Sequence, residues 1–242
     1  MMHCGFDGTF DGLLTVAFDT YRERAALICV IPADGQENFL PDRQIITDPE
    51  KAERIRAFLQ KTLGQEFLHM VRMAYLSRRD DRHTAIVKTI HRACVQGRQA
   101  LASLDDDVLA FLACQREVGM EAHRFMGLLR FRQMTDGSML AVFRPRNNVL
   151  GLLMPHFSAR FPKERLVVYD EGRHLAGLAQ AGHIEIRRVE AVLPQDAPEE
   201  LLTQELWRLF FDTLAIQARK NPRLQRQNMP KYTWQHLTEM QG

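Results

Sequence analysis

"LLRFRQMTDGSMLAVFRP", residues 128–145, decides the fold, because the hydrophobic period changes inside it. Leu129, Phe131 and Gln133 alternate against Leu128, Arg130 and Arg132, and Asp136-Gly137 separates two β-rich runs. A period of two broken by Asp-Gly predicts a β-hairpin. On its N-terminal side the chain reads as helices. "FDGTFDGLLTVAFDTYRER" sets Phe10, Leu13, Leu14, Ala17, Phe18 and Tyr21 on one helical face behind Thr9 as N-cap. "DPEKAERIRAFLQKTLG" opens with Asp48 and Pro49, lines up Ile55, Phe58, Leu59 and Leu63, and stops at Gly64. "QEFLHMVRMAYLSRRD", "RHTAIVKTIHRACVQGRQAL" and "DDDVLAFLACQREVGMEAHRFMG" repeat the helical pattern, the last with Asp105 to Asp107 suited to a positive helix N-terminus. Between the first two helices "ALICVIPADG" fits either a strand or an extended loop.

Beyond the hairpin, "NNVLGLLMPHFSARF" returns to helical spacing, with Asn148 as the expected N-cap. "RLVVYDEGRHLAGLAQAGHIEIRRVE" reads as three more short strands divided at Glu171-Gly172 and Ala181-Gly182. "DAPEELLTQELWRLFFDTLAIQARK" places Asp196 and Glu199 in capping-box relation around Pro198. Its stripe of Leu202, Leu206, Leu209, Phe210, Thr213 and Leu214 should pack on the core. Asn221-Pro222 then breaks the helix, and one or two short turns follow. The expected fold class is α+β: a helical N-terminal layer packed with a sheet of about five strands, antiparallel as the economical reading, and C-terminal helices. One domain over residues 1–242 is expected, with 1–126 mainly helical, 127–242 the sheet and terminal helices, and a division near Gly127 as the place where it would split.

With 45% hydrophobic and 26% charged residues in 242, the composition is that of a globular chain with a packed core. A formal net charge of +2 leaves any nucleic-acid reading to the clustering of charge rather than to its sum. Cys4, Cys29, Cys94 and Cys114 form no C-x-x-C pair, which argues against a zinc ribbon, a thioredoxin-type site or a cluster loop and predicts reduced or buried thiols. His69, His83, His91 and His123 lack metal-ligand spacing, so neither a metal nor a cofactor is expected. No apolar run is long enough to span a bilayer and "MMHCGFDGTFDG" is not a signal peptide, so cytoplasmic location and no membrane partner are the expectations.

Two basic clusters invite a functional reading. Arg130 and Arg132 share a sheet face by alternation, and Arg144 and Arg146 flank Pro145. Exposed arginines of this kind meet phosphate oxygens bidentately, or pair with acidic helices at little energetic gain. The tail "RKNPRLQRQNMPKYTWQHL" carries Arg219, Lys220, Arg223, Arg226 and Lys231 with no acid among them. Leu224, Trp234 and Leu237 are apolar anchors, so this is a docked segment: a phosphate binder with pre-ordered cations, or a structural brace. Tyr232 or Trp234 is the aromatic that would stack on an unpaired base. A third group, His156, Asp170 and Arg173, has the ingredients of acid–base chemistry without the spacing of a nucleophile, metal or phosphate-loop motif, and structural use is favoured.

The blocks "FDGTFDGLLTVAFDTY", "EAHRFMGLLRFR", "NVLGLLMPHFSARFP", "LVVYDEGR" and "RKNPRLQRQNMPKYTW" resemble, over nearly the whole chain, a bacterial family of DNA metabolism or DNA repair proteins built on a domain of unknown function. That resemblance implies DNA as ligand and a DNA modification or repair radical SAM protein as partner, since members tend to be encoded beside one. Similar domains also occur joined to uracil-DNA glycosylase-like domains. The chain has no C-x-x-x-C-x-x-C loop for a radical SAM cluster and no glycosylase motif, and the family supplies no catalytic residues to carry over. Three functions are weighed: a nucleic-acid-binding accessory of the radical SAM enzyme, an enzyme processing a damaged base or sugar, and a protein-interaction module without DNA affinity.

Overall fold

The computed structural model describes residues 2–22, 28–32, 41–190, 196–214 and 221–240. Thr9 caps the first helix as expected: its hydroxyl accepts the Gly12 N–H at 2.9 Å, and α1 runs Phe10–Asp19. Two strands flank it in sequence, β1 (Met2–Phe6) and β2 (Ile28–Pro32), and they pair in parallel. A short β3 (Arg43–Gln44) joins the other edge of β1, also parallel. The N-terminal half is therefore more than a helical layer, and "ALICVIPADG" is strand over Ile28–Pro32. The central strand β1 escaped the sequence reading because Cys4, Gly5 and Phe6 are all buried, and a strand covered on both faces shows no alternation.

Helix α2 (Pro49–Leu63) starts where Asp48 accepts the N–H groups of Glu50 and Lys51 at 2.9 and 3.2 Å, and ends at Gly64 with φ 89°. α3 (Gln65–Tyr75), α4 (Arg82–Gln96) and the 3-10 turn Gly97–Ala102 follow. Then comes the long α5 (Asp106–Leu128). Phe6, Leu13, Leu14, Ile28, Leu59, Ile86, Ile90 and Phe111 are fully buried in one cluster. These elements make the first of two compact units, Met1–Gly119; the second is Met120–Gly242, and the boundary falls within α5, ahead of Gly127. None of the four cysteines, all among the described residues, is in a disulfide. Burial pushes the Cys94 thiol up to about 11 and raises that of Cys114 as well.

The second unit is built on a five-stranded sheet in the order β4 (Arg132–Gln133), β5 (Met139–Phe143), β6 (Leu166–Asp170), β7 (Leu175–Gln180), β8 (His183–Arg188). The Asp136-Gly137 turn closes the hairpin, the Gly137 N–H donating to the Met134 carbonyl at 2.9 Å. Its first arm is only two residues long, because α5 continues to Leu128. Ala181 and Gly182, at φ 49° and 81°, form the two-residue turn of left-handed backbone that matches strand twist in a hairpin. The sheet is mixed rather than antiparallel throughout, since β5 and β6 run parallel. The cause is α6 (Leu150–Arg160), which lies between them in sequence and carries the chain back to the same end. A Cβ on Gly177 of β7 would stand 2.5 Å from Met154 Sδ, so glycine there lets α6 approach the sheet closely.

Helices α7 (Glu200–Leu214) and α8 (Pro222–Asn228) and the 3-10 turns Lys231–His236 and Thr238–Met240 complete the unit. Asn221 caps α8 by accepting the Leu224 N–H at 3.0 Å. Two expected caps are absent: Val149, with no side-chain cap, precedes α6 in place of Asn148, and Asp196 pairs with Met134 in a β-bridge instead of opening α7. A larger correction concerns the apolar stripe of α7. Leu202, Leu206, Leu209 and Phe210 are 58, 56, 64 and 52% exposed, so the stripe points away from its own unit; the Leu214 side chain lies outside the described residues. Among the described residues no helix is long and apolar enough to cross a membrane.

Candidate functional site

The two basic clusters of the sequence meet in the second unit, and Glu121 joins them. This residue sits on α5 one turn after Val118 and one turn before Phe125, both buried, and is itself only 3% exposed. Its Oε1 accepts the Arg146 N–H at 2.9 Å and the Tyr232 hydroxyl at 2.7 Å. Its Oε2 accepts the Asn147 N–H and the Asn147 Nδ2 amide, each at 2.7 Å. A buried carboxylate is tolerated when its lone pairs are filled in this way. Glu121 thus fixes the loop 144–147 and the tail turn together.

Asp170 and Arg173 hold the same loop from another side. Asp170 is fully buried and accepts the N–H groups of Gly172 and Arg173 at 3.1 and 3.2 Å and the Arg173 guanidinium at 3.1 Å. Burial raises its carboxyl above the usual range, against the pull of Arg173. Arg173 also donates to the carbonyls of Pro145 and Arg146. These are the contacts of a loop brace. His156 is half-buried, its ring edge-on to Phe157 at 5.0 Å between ring centres.

With its backbone pinned, the loop leaves the side chains of Arg144 and Arg146 exposed. Arg146 lies 4.5 Å from the Tyr232 ring centre, a cation–π contact on a ring whose hydroxyl is spent on Glu121. Burial, with Glu121 beside it, pushes that hydroxyl up to about 12. Four residues along the same 3-10 turn, His236 stands 3.7 Å from Glu171 and feels the charges of Arg132 and Arg144; its burial outweighs Glu171 and holds it below the ordinary histidine value. Trp234 is half-buried, its indole N–H donating to the Met229 carbonyl at 2.8 Å, and Thr233 and Leu237 are buried. The tail is therefore docked, with Lys231 exposed beside Tyr232 and Arg223 and Arg226 exposed on α8. Arg219 and Lys220 lie outside the described residues.

Arg130 and Arg132 are placed differently. Arg130 makes a fork to Glu239 at 2.6 and 3.2 Å and packs 5.3 Å from the Trp207 ring. Arg132 faces Asp196 at 3.4 Å. Both pair with acidic residues of the second unit. They border a cavity of about 120 Å³ together with Phe131, Gln204, His236 and Thr238. Glu121 was missed by sequence reasoning because a glutamate in a helix reads as solvated; its place on the Val118–Phe125 stripe was the available signal. Among the described residues no three His, Cys, Asp or Glu side chains gather as they would around a metal ion. Charge is uneven between the units: 17 Lys and Arg face 13 Asp and Glu in Met120–Gly242, against 15 and 17 in Met1–Gly119. The positive excess thus sits with the exposed arginines.

No curated protein and no solved structure matches this chain. A family model described as a domain of unknown function, DUF4130, matches residues 80–239, more than half of the sequence, and the chain belongs to that family.

Proposed function

We propose that the second unit binds nucleic acid through Arg144, Arg146 and Lys231, extended by Arg223 and Arg226 on α8, and that the protein is an accessory of a DNA repair or modification system working beside a radical SAM enzyme. One observation carries the binding part: the buried Glu121 carboxylate ties the arginine loop to the tail turn, so that cations far apart in sequence are held in a fixed, exposed set. Cations ordered before binding lose little entropy on meeting phosphates, which favours this reading over a floppy basic tail. Arg219 and Lys220 continue the same basic run in sequence. Tyr232 and Trp234 support the set from behind, since their polar atoms are engaged within the protein. The repair context and the radical SAM partner rest on the resemblance of the sequence blocks.

The test is fluorescence anisotropy of the purified protein with labelled single- and double-stranded DNA over a salt series. Binding that weakens steeply with salt, and weakens further in Arg223→Ala/Arg226→Ala, supports the reading. Absence of binding at low salt removes it. Incubation with lesion-bearing DNA and analysis for released base or cleaved strand checks the catalytic alternative, for which the engaged Asp170 and Arg173 offer no free acid–base pair.

A further inference from the structure

Helix α7 is attached to its unit by its polar side. Glu200, only 6% exposed, accepts the Gln133 N–H at 2.8 Å and the Gln204 amide at 3.1 Å. The Trp207 indole N–H donates to Glu239 at 3.1 Å, and Arg208 Nε donates to the Thr238 carbonyl at 3.2 Å. Residues 200, 207 and 208 share one face at helical spacing, so their bonds to Gln133, Glu239 and Thr238 fix the rotation of the helix. The opposite face then carries Leu202, Leu206, Leu209 and Phe210, each more than half exposed. This inverts the usual arrangement, in which the apolar face seeks the core and the polar face seeks water. A contiguous exposed stripe of large aliphatic and aromatic side chains at i, i+4 and i+7 is rare on a free monomer and marks a place where another element packs.

Charge narrows the occupant. The exposed ionised side chains described at the stripe are Glu199 at its N-terminal end and Glu205 along its edge; the only cation on the helix, Arg208, is half-buried and spent on Thr238. A second copy packed through the same face of α7 would bring the same acidic edge and, on that helix, only the engaged Arg208 to meet it. We propose that the Leu202–Phe210 face of α7 is the docking surface for an amphipathic helix of a partner protein, with an apolar stripe packed on these side chains and lysines or arginines opposite Glu199 and Glu205. This surface is separate from the arginine loop and stands whether or not that loop binds nucleic acid.

The test uses the full chain and two labelled synthetic helical peptides with leucines at i, i+4 and i+7, one flanked by lysines and one by glutamates, followed by anisotropy. The lysine peptide is expected to bind about tenfold or more tighter than the glutamate peptide at low salt, the preference shrinking as salt is raised. Leu206→Glu/Leu209→Glu should abolish the binding while leaving the far-ultraviolet circular dichroism and any DNA affinity unchanged. Equal binding of the two peptides, binding to neither, or binding that survives the double substitution overturns the proposal. So does concentration-dependent self-association in sedimentation that the double substitution removes, because it would make a second copy the occupant.

Discussion

Replacing Glu121 by glutamine changes one atom of the side chain and should damage the second unit severely. Both carboxylate oxygens are acceptors, Oε1 for Arg146 N–H and Tyr232 hydroxyl, Oε2 for Asn147 N–H and Asn147 Nδ2. A glutamine offers one accepting oxygen and one NH₂ that can only donate, so in either orientation a fixed backbone N–H, that of Arg146 or that of Asn147, confronts a donor, and the neighbouring Tyr232 hydroxyl or Asn147 amide has to turn. A hydrogen bond to a charged acceptor contributes about 1.5–3 kcal/mol net and an unsatisfied buried N–H costs about 1–3 kcal/mol, so losing one bond, stranding its donor and weakening the others costs about 3–5 kcal/mol. That is a large fraction of the roughly 5–15 kcal/mol that stabilises a domain. Tyr232→Phe removes a single bond and should cost about 1–2 kcal/mol. Because the two residues share that bond, the double variant should fall short of the sum by about 1 kcal/mol. Urea unfolding followed by tryptophan fluorescence measures all three, since the two tryptophans, Trp207 and Trp234, both lie in the second unit. A loss below about 1 kcal/mol for Glu121→Gln, or strict additivity with Tyr232→Phe, would refute the claim that this carboxylate holds loop and tail together.

Two other predictions concern stability. Gly177→Ala forces a methyl against buried Met154 and should destabilise by about 1–3 kcal/mol, whereas Gly127→Ala, on an exposed turn of α5 with no neighbour within 4 Å, should stabilise by about 0.5–1 kcal/mol; urea unfolding reads both. His83 is 2% exposed against Phe6 and Tyr75, and burial lowers its pKa from 6.5 to about 3. The unfolded chain therefore takes up the proton first, so His83 lends stability that is complete above pH 6.5 and is lost as pH falls toward 3, by at most about 1.4 kcal/mol per pH unit. His83→Phe should flatten the decline between pH 7 and 5 in unfolding followed by circular dichroism, and an unchanged slope would show that another group causes it.

Local signals in this sequence were good guides at several caps and turns and failed at Asn148 and Asp196. Thr9 and Asp48 open helices, Pro222 begins the short helical turn expected after the break, and Asp136-Gly137 and Ala181-Gly182 turn strands, because each acts on backbone within a few residues. Long-range relations were harder to read. The helix between β5 and β6 was visible, but its consequence, a parallel pair, depends on how the chain returns. β1 carries no alternation to reveal it. The apolar stripe of α7 was correctly located and wrongly assigned to the core, because periodicity shows which residues share a face without showing what that face meets. At the candidate site, Arg144, Arg146 and Lys231 could be named from charge clustering, but Glu121 could not, since its burial depends on a loop 25 residues and a tail 111 residues away. The same limit applies to Arg130 and Arg132, whose acidic partners Glu239 and Asp196 are distant in sequence.

The central claim is that a pre-ordered set of exposed cations on the second unit meets phosphates. Its most direct test is the slope of log K against log salt for duplex DNA, measured for the native chain and for Arg144→Ala/Arg146→Ala, with circular dichroism to confirm that the variant is folded. Each phosphate contact contributes about 0.9 to that slope, so the account predicts a steep native dependence that becomes shallower by nearly 2 in the variant, with weaker binding at every salt concentration. Equal slopes and equal affinities would contradict it, and the arginine loop would then be a braced surface feature with no part in binding nucleic acid.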